Sequence, residues 1–200
     1  MINVMETATT IGIQPKPPKK EYTYQDFLDL PDDGRRYEII EGELFVANAP
    51  NIDHQFTVMA IAFQLERFVS EHDLGYVLTA PFEIHLAEKT RPVQPDVFFI
   101  KKENWPQSSV QFFAGAPDLV VEVLSPSTQR TDQVVKFDLY EKVGVAEYWI
   151  VNPKTRSVEL FILSAGEYAL VNEYVADEVI ESQLLAGLTI MTNSLFNPIH

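Results

Sequence analysis

The chain has 200 residues and 46% hydrophobic content, enough for one domain with a core. It has no cysteine, which excludes a disulfide framework and any cysteine-ligated zinc site and fits a reducing cytoplasm. A net charge of -14 argues against a large passive surface for nucleic acid, but not against a nuclease, because a bound divalent metal reverses the local charge of a carboxylate site.

Residues 1–20 read as a disordered tail. They carry Pro15, Pro17 and Pro18 among Lys16, Lys19 and Lys20, with no apolar periodicity. There is no signal-peptide pattern and no run near the ~20 apolar residues of a membrane span, so a cytoplasmic protein without membrane contact is expected. Residues 21–200 read as a single domain. A helix is expected over Tyr24–Leu30, capped by Thr23 and stopped by Pro31-Asp32-Asp33-Gly34. Arg36–Ala47 reads as a hairpin turning at Glu41-Gly42-Glu43. A long helix follows over Asp53–Glu71, with Asp53 as cap and a stripe of Val58, Ile61, Ala62, Leu65 and Phe68.

Strands are then expected at Tyr76–Ala80, Phe82–Leu86, Asp96–Ile100 and Asp118–Leu124. A helix over Thr131–Lys142 ends at Gly144 and a strand covers Glu147–Val151. Arg156–Leu163 and Tyr168–Val175 pair across Ser164-Ala165-Gly166. The order implies an α/β or α+β fold with a mixed sheet flanked by helices.

Glu122 lies amid Leu119, Val120, Val121, Val123 and Leu124, a strand buried on both faces. An ionised carboxylate there is costly unless it is paired or bound to metal. Asp96 opens a second apolar strand, Val97–Ile100. Asp118 is a poor partner for Glu122: four strand steps separate them by about 13 Å, while two ligands of one hard cation each sit at about 2.0–2.6 Å. Asp96 and Glu122 lie on strands that can be neighbours about 4.8 Å apart. Lys136 falls within the apolar arc of its helix, between Asp132 and Tyr140, and needs a partner that the buried acids would supply. A structural ion pair of Glu122 with Lys136, or snorkelling of the lysine to solvent, is the non-catalytic alternative.

The segments RRYEIIEGEL, QPDVFF, GAPDLVVEVLSPST, the Asp132, Lys136, Tyr140 spacing and GVAEYWIVNP occur in this order over about residues 22–175. In this they resemble the Uma-two family of bacterial restriction-endonuclease-like proteins, whose fold is similar to that of the PD-(D/E)xK nucleases. The resemblance implies a restriction-endonuclease-like core and a metal-dependent endonuclease acting on nucleic acid, DNA foremost. Asp96, Glu122 and the main-chain carbonyl of Val123 would hold Mg²⁺ or Mn²⁺. The superfamily's lysine two residues after the glutamate is replaced by Leu124, so Lys136 is assigned its role. Glu43, Tyr140 and His54 are further candidates, and Arg35, Arg36, Lys101, Lys102 and Arg130 are candidate docking cations. A homodimer is expected on the same resemblance. The competing reading is a catalytically degenerate binding or regulatory protein that keeps the fold without the chemistry.

Overall fold

The structure is a computed structural model, and it describes residues 20–108, 110–125 and 131–197, with the side chains of Thr131 and Asp132 left out. The tail expected over residues 1–20 falls outside these residues apart from Lys20, and so does Arg130.

The elements run α1 (Tyr24–Leu28), β1 (Arg36–Ile40), β2 (Glu43–Ala47), α2 (Ile52–Glu71), β3 (Gly75–Thr79), β4 (Glu83–His85), β5 (Val97–Lys101), β6 (Phe112–Ala114) and β7 (Leu119–Val123). A π-helical segment at Thr131–Lys136 leads into α3 (Phe137–Val143). Then come β8 (Glu147–Asn152), β9 (Ser157–Ser164), β10 (Glu167–Val175), β11 (Val179–Glu181) and β12 (Thr189–Met191).

Six strands form the central sheet in the order β10-β9-β8-β7-β5-β3. All neighbours are antiparallel except β7 and β8, which are parallel and joined through α3. The expected mixed sheet with flanking helices is therefore present. Both faces are covered, which explains the nearly unbroken apolar runs of β5, β7 and β8. On one face Val97, Phe99, Val121, Val123 and Trp149 pack against Ile61, Leu65 and Val69 of α2. On the other, Phe98, Val120, Tyr148 and Ile150 pack against Leu139 and Tyr140 of α3 and Ile40 of β1.

Several boundaries move for identifiable reasons. The cap of α2 is Asn51, whose side chain accepts the His54 N–H, and Asp53 sits in the first turn. α1 is shorter than expected, but Thr23 and Asp26 close a reciprocal capping box. The expected helix over Thr131–Lys142 is α-helical only from Phe137, ending where Gly144 takes a left-handed φ of 89°. Glu41-Gly42 and Ala165-Gly166 both have positive φ at both positions, as two-residue hairpin turns require. No helix among the described residues is long and apolar enough to cross a membrane.

Candidate active site: a buried carboxylate cluster

The site begins where pairing of β5 with β7 ends. Val97 lies opposite Val121, and β7 continues to Val123 beyond it. Asp96, one residue before β5, turns across that gap and accepts the Val123 N–H on Oδ2 at 2.9 Å. Along a strand the N–H and C=O of one residue face the same side, so the Val123 carbonyl borders this edge too. The next N–H, of Leu124, points the other way, to Val151 O at 2.8 Å.

Alternation fixes Glu122. Leu119, Val121 and Val123 face α2, so Val120, Glu122 and Leu124 face α3. There Lys136 Nζ and the Tyr140 hydroxyl donate to Glu122 Oε1 at 2.9 and 2.8 Å. Their four-residue spacing puts both on one side of the helical segment. Lys136 Nζ also meets Glu38 Oε2 of β1 at 3.1 Å, while Glu38 Oε1 accepts the Gln94 N–H at 2.7 Å. Asp96 Oδ1 accepts from Arg36 Nη1 at 2.7 Å, and His54 Nε2–H donates to Oδ2 at 3.1 Å.

Glu122 and Lys136 are fully buried, Asp96 is 2% exposed and Glu38 4%. Isolated charges at such depth would be expensive. Here Arg36 and Lys136 face three carboxylates, so the cluster largely neutralises itself. Burial alone would raise the Asp96 carboxyl, but the His54 hydrogen bond and the charges of Arg36 and Lys136 outweigh it and hold Asp96 well below its ordinary range. Burial disfavours the charged form of Arg36, yet Asp96, Glu38 and Glu122 keep it firmly protonated. Burial and the neighbouring Glu122 and Glu38 push the Tyr140 hydroxyl well above its usual value, so Tyr140 acts as a donor.

Solvent reaches the cluster from the Asp96 end. A cavity of about 550 Å³ lies between α1, the β1–β2 hairpin and the start of α2. Arg36, His54, Gln94, Asp96 and Ser125 are among its polar lining residues, and Phe27, Tyr37 and Val58 are among its apolar ones.

Of the sequence candidates, Asp96, Glu122, Lys136, Tyr140 and His54 come together. Glu43 does not: it is exposed at the turn end of the hairpin, beside Val134 and Lys142. The hairpin carboxylate that reaches Lys136 is Glu38, which the sequence reading passed over. Its signal was the alternation of Arg36, Glu38 and Ile40 on one face of β1, with Ile40 in the core. Arg36, read as a docking cation, instead holds Asp96. Arg35, Lys101 and Lys102 are paired with Asp33, Asp118 and Asp73.

No curated protein matches the chain. A crystal structure of a putative nuclease belonging to DUF820 from Anabaena variabilis ATCC 29413 superposes with a TM-score of 0.73 at 20% identity. The match covers 87% of this chain and 97% of that one, and at this identity it establishes a shared fold. The sequence pattern of the Uma2 family, described as "Putative restriction endonuclease", matches residues 24–193. The chain therefore belongs to the Uma2 family.

Proposed function

We propose that the protein is a metal-dependent endonuclease that hydrolyses phosphodiester bonds of nucleic acid, with DNA as its substrate. The observation that carries this reading is the convergence of Asp96 and Glu122 at the adjoining ends of β5 and β7, with Lys136 on Glu122. The donor chemistry fits a hard cation: two carboxylates and the Val123 carbonyl are all oxygen ligands. Among the described residues no three His, Asp or Glu side chains converge as a metal set. Mg²⁺ or Mn²⁺ held by Asp96, Glu122 and the Val123 carbonyl would therefore take its remaining ligands from water.

When bound, the ion supplies a water of lowered pKa and polarises a phosphoryl oxygen. The protein's own groups do the rest. Arg36 and His54 fix the Asp96 carboxylate, and the Tyr140 hydroxyl fixes Glu122. Lys136, the cation nearest Glu122, would orient the attacking water and stabilise charge on the phosphorus oxygens. Arg36 and Lys136 already neutralise the acids, so metal affinity is expected to be lower than in a site of free carboxylates.

A nuclease-fold binding or regulatory protein is the second reading. It is favoured by Leu124, a largely buried core residue where the superfamily carries its lysine. The test is cleavage of plasmid and single-stranded DNA in Mg²⁺ or Mn²⁺ by the wild type and Asp96→Asn. The nuclease reading expects cleavage that the variant loses. Metal and DNA binding without cleavage would favour the binding protein.

A further inference from the structure

The outer face of α2 carries an exposed apolar stripe. Ile52 is 72% exposed, Phe56 39%, Met59 70% and Phe63 64%. They recur at steps of four, three and four, so they line one side of the helix opposite the buried His54, Thr57, Ile61 and Leu65. Single exposed apolar residues are ordinary, but four in one row over three turns are not.

We infer that this face is a two-fold interface between two copies of the chain, with the α2 helices packed antiparallel. The spacing is its own complement: reversing the helix exchanges Ile52 with Phe63 and Phe56 with Met59, as an isologous interface requires. The Phe56 ring then meets the Met59 thioether, a favourable contact. At roughly 200 Å² for a large side chain, the four residues expose roughly 500 Å² per copy. Two copies would bury roughly 1,000 Å², the lower bound for a specific association.

Charge singles out this face. Each chain carries -14, so two copies repel unless they meet on neutral ground. From Ile52 to Leu65 the only acidic or basic side chains of α2 are Asp53, which accepts from Asn197, and the buried His54. Glu66 and Arg67 appear only at the rim, with Arg67 over the Phe63 ring. The other apolar candidate, β10 at the sheet edge with Leu170 and Val171 exposed, is interrupted by a bulge between Leu170 and Asn172 and carries Glu167 and Glu173. Both features oppose edge-to-edge pairing. The same helix presents His54 to Asp96 from its opposite face.

The test is sedimentation equilibrium of the full chain across the micromolar range, beside Met59→Glu, Phe63→Ser and a form lacking residues 1–19. The substituted positions point away from the core, so thermal melting should show both variants folded. The wild type is expected at twice its 22.8 kDa mass and both variants shifted to monomer, with dissociation constants raised at least tenfold. A wild-type dimer unaffected by both substitutions would overturn the interface. A monomeric wild type would overturn the dimer, and dimerisation only after removal of residues 1–19 would make that segment the occupant of the stripe. A mixture of Phe56→Cys and Met59→Cys chains, in a protein with no other cysteine, tests the direction. Antiparallel packing expects the mixed Phe56→Cys/Met59→Cys disulfide to dominate, and two homodisulfides in excess would overturn the antiparallel arrangement. None of these outcomes depends on the nuclease reading.

Discussion

Lys136→Met removes the cation that Glu122 and Glu38 share and keeps most of the side chain's bulk. Both carboxylates lie within 3.1 Å of one nitrogen, so their nearer oxygens are no more than about 6 Å apart. Two like charges at that distance repel by about 3 kcal/mol at an effective dielectric of about 20. Glu122 keeps the Tyr140 hydroxyl and Glu38 keeps the Gln94 N–H, so neither loses all its hydrogen bonds. The expected loss is about 3–5 kcal/mol, the usual result of breaking a buried pair from one side. For a chain of this size that is roughly 6–20 °C in melting temperature. Urea unfolding at neutral pH is the assay. A loss below about 1 kcal/mol would show that the lysine does not hold the acids and would refute the electrostatic account of the cluster.

Three further outcomes are expected. His54→Ala removes a donor to the buried Asp96 and should cost about 2 kcal/mol in urea unfolding while weakening any metal response; an unchanged protein would detach His54 from the site. Glu147→Gln should cost about 2–3 kcal/mol, because a fully buried carboxylate that accepts from Trp149, Ser182, Gln183 and Leu184 cannot be replaced by an amide carrying its own N–H groups. Calorimetry should find metal affinity unchanged in that variant, since Glu147 braces the last strands. Acid unfolding supplies the third. The Asp96 carboxyl is lowered in the fold, so its contribution is complete above the ordinary aspartate range near pH 4 and drains away as pH falls further. Asp96→Asn should flatten the stability profile below pH 4, and an unchanged slope would contradict the shift.

Most of the sheet was legible because β5, β7 and β8 are buried on both faces and read as apolar runs. Asp96 and Glu122 stood out for the same reason: each interrupts or opens such a run. Lys136 was found because helical periodicity put it among apolar neighbours, and from Lys136 to Tyr140 the chain follows the α-helix that begins at Phe137. The hairpin was harder. Period-two alternation offers both faces of β1, and the turn acid Glu43 drew more notice than Glu38, although Ile40 marked the inner face. Arg36 was misread because an arginine next to Arg35 looks like surface charge, and only the closure of the hairpin onto Gln94 and Asp96 shows otherwise. The three-residue strands β4, β6, β11 and β12 were legible only in part, being too short for a period to register.

If Asp96 and Glu122 form one hard-cation site, Mn²⁺ titration calorimetry of the wild type and two isosteric variants will register it. Binding is expected in the wild type and lost in both Asp96→Asn and Glu122→Gln, with the fold of each variant verified by circular dichroism. Absence of binding in the wild type, or equal binding in either folded variant, would contradict it and leave the cluster as an ion-pair network of the core.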